Sequence, residues 1–156
     1  MRRVLRGLVV VVTLLAAAGI AGAFTINSVT TTFNSYVPAG GGFPAMICFD
    51  VHVSVTVVPG DPNPVGPIHI TMGDDDGLLP DDISPTDYDV YHAYDASVFS
   101  DPSVTSVTYT WTFLLCFAIP NGWQDFGEGY EGEWYVTASG GSGSPVSSTP
   151  YGFHPY

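Results

Sequence analysis

The stretch AMICFDVHVSVTVVP, residues 45–59, alternates apolar and polar side chains. Ile47, Phe49, Val51, Val53, Val55 and Val57 fall on one face, and Asp50, His52, Ser54 and Thr56 on the other. A period of two, with β-branched residues at the apolar positions, describes a strand buried on one side. The stretch SVTYTWTFLLCFAIP, residues 106–120, repeats the pattern. Val107, Tyr109, Trp111, Phe113, Leu115, Phe117 and Ile119 share its apolar face, opposite Thr108, Thr110 and Thr112. Two long one-faced strands need a second apolar layer to cover them, so the expected fold is an all-β, two-sheet sandwich.

The rest of the chain fits that class. Shorter strands are expected at IHITM (68–72), DYDVYHAY (87–94) and GEWYVTA (132–138). Turn-rich connections separate them: PGDPNPVGP (59–67), GDDDGLLPDD (73–82) and PNGWQDFGEGYEG (120–132). Beyond the N-terminal segment there is no helical periodicity, and the chain has no internal repeat. SGGSGSPVSSTP (139–150) reads as a flexible linker to the aromatic tail YGFHPY. With the ribbon at 24–37 this makes about six strands in a single domain, of jelly-roll or immunoglobulin-like type.

The cysteines sharpen the choice. Cys48 is in register with Asp50 and His52, and Cys116 with Thr112 and Leu114, so both point away from the apolar faces. A disulfide between them therefore predicts that the two long strands are neighbours in one sheet, bridged on its outer face. A bridge through the core between sheets is disfavoured, and with it the usual immunoglobulin arrangement, which also lacks its Trp here. The alternative is two separate small buried side chains.

The N-terminus carries every basic side chain: Arg2, Arg3 and Arg6. An apolar run from Leu8 to Ala18 and the small residues Ala21, Gly22 and Ala23 follow, the pattern of a secretory signal peptide. A retained helix is marginal, because Leu8–Phe24 is 17 residues against the roughly 20 that a span needs. Cleavage after Gly7, as in pilin-type leaders, is a further option. Cleavage after Ala23 leaves 133 of the 156 residues, moves the formal charge from −12 to −15, and removes all Lys and Arg. Nucleic acid is thereby excluded as a partner, since phosphate binding needs basic side chains. The expected location is secreted, extracellular or at the cell surface, with no stable membrane span after cleavage.

Several groups are candidates for chemistry. Asp74, Asp75, Asp76, Asp81 and Asp82 form an acidic loop suited to a hard cation such as calcium. The EF-hand pattern fails, with Leu78 and Pro85 in ligand positions, and a solvated acidic loop is the competing reading. His52, His69, His92 and His154 form no zinc-ligand pattern; His52 and His69 are expected to be exposed and His92 half-buried. Trp123 and Tyr130 could form a carbohydrate platform, whereas Trp111 and Trp134 belong in the core. No nucleophile-elbow or aspartic-protease motif is present, so no enzyme is expected. No cofactor is expected to be required; Ca2+ is the leading candidate ion, with a transition metal at the histidines a minor alternative.

The ribbon itself, AGAFTINSVTTTFNSYVPAGGG (21–42), is rich in Thr, Ser and Asn and has no charged residue. Phe24, Ile26, Val29, Phe33 and Val37 are its apolar residues, and their spacing changes step near Asn27–Ser28, which predicts a strand with a bulge or kink. Gly22, Ala23, Phe24, Thr25, Thr30 to Thr32, Asn34, Ala39 and Gly40 resemble the mature start of the TasA/camelysin family of biofilm-matrix proteins and of the archaeal bundling pili similar to them. Ile26 stands where that family usually has an acidic residue, and a cysteine pair is not its hallmark. The resemblance implies filaments built by donor-strand exchange, with 24–37 completing a neighbouring subunit's sheet rather than its own.

The expected organisation is therefore a signal peptide at 1–23, a donor strand at 24–37, a sandwich at 38–138 and a linker with tail at 139–156. The expected function is a secreted structural subunit of an extracellular filament or matrix, with copies of itself as partner. The alternative is a monomeric module binding calcium or carbohydrate, and a secreted hydrolase ranks below both. Intact-mass measurement of material from the source should give a chain beginning at Phe24; a chain beginning at Leu8 would favour the pilin-type leader.

Overall fold

The computed structural model describes residues 24–74, 83–119 and 132–153. Among the described residues eight strands run in chain order: β1 (Thr25–Val37), β2 (Met46–Val57), β3 (Val65–Asp74), β4 (Tyr88–His92), β5 (Val107–Ala118), β6 (Gly132–Ser139), β7 (Val146–Ser147) and β8 (Tyr151–Phe153). One sheet has the order β1-β2-β5; the other has β4-β3-β6-β7, with β8 also paired to β6. All pairings are antiparallel. The fold is a single-domain, two-sheet β-sandwich.

Alternation places the core where the sequence predicts it. Ile47, Phe49, Val51, Val53, Val55 and Val57 of β2 are buried, as are Trp111, Leu115 and Phe117 of β5. Ile68, Ile70 and Met72 of β3 and Trp134, Val136 and Ala138 of β6 close over them from the second sheet. Cys48 and Cys116 are disulfide-bonded and sit directly opposite each other in the β2–β5 register, Cα to Cα 4.0 Å. The bridge therefore joins neighbours within one sheet, on the face that also carries Asp50, His52 and Thr112, and not the two sheets. Closing so long a loop restricts the unfolded chain by roughly 4 kcal/mol in the entropy model.

Three differences from the expected boundaries have physical causes. First, β1 lies in the chain's own sheet, antiparallel to β2 from Thr25↔Thr56 to Val37↔Met46. Within the single chain, the apolar positions of the ribbon find the open flank of β2, whereas the resemblance implies pairing with a neighbouring subunit. The register slips between Ile26 and Ser28, the predicted bulge, and again between Phe33 and Ser35. Second, β3 begins at Val65, before the expected Ile68. A register shift absorbs Gly66–Pro67, where Gly66 has φ +142° and a Cβ would strike Tyr91 and the Val90 carbonyl.

Third, the linker and tail reading of 139–156 is corrected for its described residues. Val146 and Ser147 pair with Ala138 and Thr137, and Tyr151–Phe153 pair with Trp134–Gly132. Buried Ser148 accepts the Val136 N–H through its hydroxyl at 3.0 Å and gives its own N–H to the Val136 carbonyl at 2.8 Å. Strands this short show no alternation, so composition alone suggested a linker. A 3-10 turn at Ala96–Ser100 is also new; the Asp95 carboxylate accepts the Ser97 N–H at its start.

The turn between β6 and β7 holds the start of β1. The Phe24 carbonyl accepts the Ser142 N–H at 3.0 Å, and the Thr25 and Ser142 hydroxyls are 3.3 Å apart. Gly141 has φ +62°, and a Cβ there would overlap the Phe24 carbonyl oxygen. Gly141→Ala should therefore destabilise the domain by about 1–3 kcal/mol through strain and a displaced β1 start. A lowered thermal midpoint with faster amide exchange in residues 25–29 is the expected result.

Candidate assembly surface

β1 combines a buried anchor with a neutral exterior. Phe24, Ile26 and Val29 are each 4% exposed, beneath the start of the strand. Phe33 is half-buried, stacked on Tyr151 at 5.7 Å and edge-on to Phe49 at 6.5 Å, while Val37 is exposed. The five apolar residues thus fade from core to surface along the strand. On the outer side Asn27 donates to the Thr56 hydroxyl at 2.9 Å, and Asn34 donates to the Asp50 carboxylate at 3.2 Å. No side chain of β1 carries a charge, so its pairing with a sheet desolvates no ion of its own.

Residues 38–45 connect β1 to β2. Within them Gly40 and Phe43 exchange two backbone hydrogen bonds of 3.2 and 3.0 Å, closing a tight turn between Pro38 and Pro44. At the end of the connection Ala45 is buried, and its carbonyl accepts the Ile119 N–H at 2.8 Å.

The acidic candidates are only partly within reach. Asp74 is buried at the end of β3, in register with Trp134. Asp75, Asp76, Asp81 and Asp82 lie outside the described residues, as do Trp123, Tyr130 and His154. Both feet of the acidic loop are fixed: Gly73 bridges Ile83, and the Ser84 N–H donates to the Met72 carbonyl at 2.9 Å. Among the described residues no group of three His, Cys, Asp or Glu is placed to hold a metal ion.

The histidines are dispersed. His52 meets the Thr112 hydroxyl at 2.8 Å on the outer face of the first sheet. His69 lies 3.0 Å from the Asp89 carboxylate and 3.7 Å from that of Asp87. His92 is more exposed than expected, yet its ring stacks on Trp111 at 4.6 Å, because β4 ends over the flank of β5. Tyr94 Oη donates to the Asp61 carbonyl; burial, the Asp61 charge and Tyr109 raise its pKa, which keeps it a neutral donor.

No family model, curated protein or solved structure matches this chain. The residues that fix β1 from the far side, Gly141, Ser142 and Tyr151, were hidden in the sequence because they sit in the segments that read as linker and tail. Their one signal was the return of apolar Val146, Tyr151 and Phe153 after the Gly/Ser run.

Two exposed turns provide a pH-dependent feature. Hydrogen bonds from Ser97 hold the Asp95 carboxyl below its ordinary pKa, and hydrogen bonds from Ser103 do the same for Asp101. A depressed folded pKa gives stability that is complete above the usual aspartate range and is lost as pH falls through the folded value. NMR titration should show the Ser97 and Ser103 amides shifting below the pH of an ordinary aspartate, and Asp95→Asn should remove the transition at Ser97.

Proposed function

We propose that this chain is a secreted structural subunit of an extracellular filament or matrix, joined to its neighbours by exchange of β1. The observation that carries this reading is β1 itself: a 13-residue strand without charge, at the edge of its sheet, reached through a Gly- and Pro-containing connection. In the exchanged form β1 leaves its own β2 and pairs in the same register with β2 of the next copy. The ladder from Thr25↔Thr56 to Val37↔Met46 and the burial of Phe24, Ile26 and Val29 are then remade between chains. Each copy both gives and receives a strand, so the contact is heterologous and propagates. The resemblance of residues 22–40 to biofilm-matrix proteins accords with this reading.

Charge sets the conditions. A mature formal charge of −15 with no basic side chain makes copies repel at neutral pH and low salt. Salt screens that repulsion, protons remove it, and calcium bound near residues 74–82 would lower it locally.

The secreted protein should stay monomeric at pH 7 in low salt and form filaments, seen by negative-stain electron microscopy, on adding salt or calcium or on acidification. Deleting residues 24–37 should leave a destabilised monomer. Free 24–37 peptide should restore its thermal stability without restoring filaments, since each link needs donor and acceptor on one chain. A full-length protein that stays monomeric under all these conditions, with β1 amides protected throughout, would overturn the proposal.

A further inference from the structure

We propose that the outer edge of β5 pairs with the same edge of a second copy, antiparallel across a two-fold axis at Trp111. Backbone groups that face outward along β5 set this pairing. The 4.0 Å Cα separation of Cys48 and Cys116 marks a non-hydrogen-bonded pair of the β2–β5 ladder. The N–H and C=O of Cys116, and of every second residue from it, therefore point away from β2. Three side chains agree: Tyr88 Oη donates to the Cys116 carbonyl, Ser84 Oγ donates to the Ala118 carbonyl, and Thr86 Oγ1 accepts the Ala118 N–H. Residues 84–88 thus cap the last part of the edge.

The same parity turns the backbone groups of Thr108, Thr110, Thr112 and Leu114 outward. Among the described residues nothing is hydrogen-bonded to them. Proteins usually blunt such an edge with charges, prolines, bulges or shortness. The other edges here do so. β1 has two bulges, β4 has five residues and is flanked and interrupted by Asp87 and Asp89, and β7 and β8 have two and three residues. β5 has twelve residues, an unbroken register, no proline and no charge.

The window selects a second copy as occupant. It runs from the first strand residue, Val107, to Leu115, just before the cap at Cys116, and its midpoint is Trp111. Pairing about that midpoint sets Thr110 against Thr112 of the partner and Thr108 against Leu114 of the partner, so every outward group meets an outward group. That gives about eight main-chain hydrogen bonds in four pairs. In a chain this acidic, β5 is also where two identical surfaces meet without opposing carboxylates on the paired strands. The product is a continuous six-stranded sheet with β1 at both rims.

The test uses the secreted chain, disulfide intact, in about 1 M NaCl, where the Debye length is about 3 Å. Sedimentation equilibrium of the soluble fraction, after any filaments are pelleted, should show the mass doubling with concentration. Amide exchange at residues 108, 110, 112 and 114 should slow at least tenfold over the same range. Thr110→Pro removes an outward N–H and no ladder bond, so it should return the monomer with a near-parental thermal midpoint; Thr110→Val keeps the N–H and should dimerise. A mass independent of concentration, a dimer indifferent to the proline, or four amides that stay fast in the dimer would each overturn the proposal. The exchange readout on the unsubstituted chain stands even if the proline variant fails to fold. Exchange of β1 alone leaves these four amides open, so the two proposals fail separately.

Discussion

The register of β2 against β5 is the constraint on which the rest of the molecule depends. A strand has a side-chain period of two, so a slip of one residue would turn Ile47, Phe49 and the valines outward and bring Asp50 and His52 into the core. Twelve consecutive pairs without a bulge, with a covalent bridge at Cys48 and Cys116, hold that register. Everything else takes its position from it. β1 can only add on the free flank of β2, the second sheet covers the face the valines define, and the threonines of β5 are left on the outside.

The parts of this fold legible in the sequence were those governed by alternation over many residues. The faces of β2 and β5, the burial of Trp111 and Trp134, and the position of the disulfide all follow from parity, which needs no partner to be known. The bulge near Asn27 was legible for the same reason, as a break in step. Where pairing is decided by tertiary neighbours the signal disappears. Two residues of β7 and three of β8 cannot display a period, and the Ser148 hydroxyl that ties them to Val136 looks like any linker serine. The capping of β5 by Ser84, Thr86 and Tyr88 was equally silent, because it joins residues about thirty positions apart through side-chain-to-backbone bonds. The candidate assembly surface was legible as a composition, neutral and β-branched, but its place in the chain's own sheet was not.

Among the described residues, most carboxylates lie apart from the long uncharged edge strands. The carboxylates of Asp87, Asp89, Asp95 and Asp101 lie on the short strand β4 and on exposed turns. The two long strands at the rims of the first sheet, β1 and β5, have none. The described residues include no Lys or Arg, so their carboxylates cannot be offset by ion pairs among themselves with Lys or Arg, and separation is the means left. Repulsion of this kind is long-ranged at low salt and is reduced within a Debye length at high salt, whereas backbone hydrogen bonds act only at contact. In the proposed assembly, ionic strength would therefore govern encounter, and strand pairing what forms afterwards.

Exchange of β1 alone has an energetic difficulty that bears on the second surface. Pairing in trans remakes the β1–β2 ladder and adds none, while the connection at 38–45 must open and give up the two Gly40–Phe43 hydrogen bonds. A short connection also keeps β1 near its own β2 at an effective concentration in the millimolar range, so the closed monomer wins in dilute solution. Exchange then needs either a high local concentration of chains or contacts that exist only between copies. Pairing of β5 edges is of the second kind, because its hydrogen bonds have no counterpart in the monomer. It would also hold two chains side by side with their β1 strands on opposite rims, each free to link to a different neighbour. A polymer of single chains joined only by β1 gains little over its closed subunits, whereas one cross-linked through β5 gains a ladder for every pair of subunits.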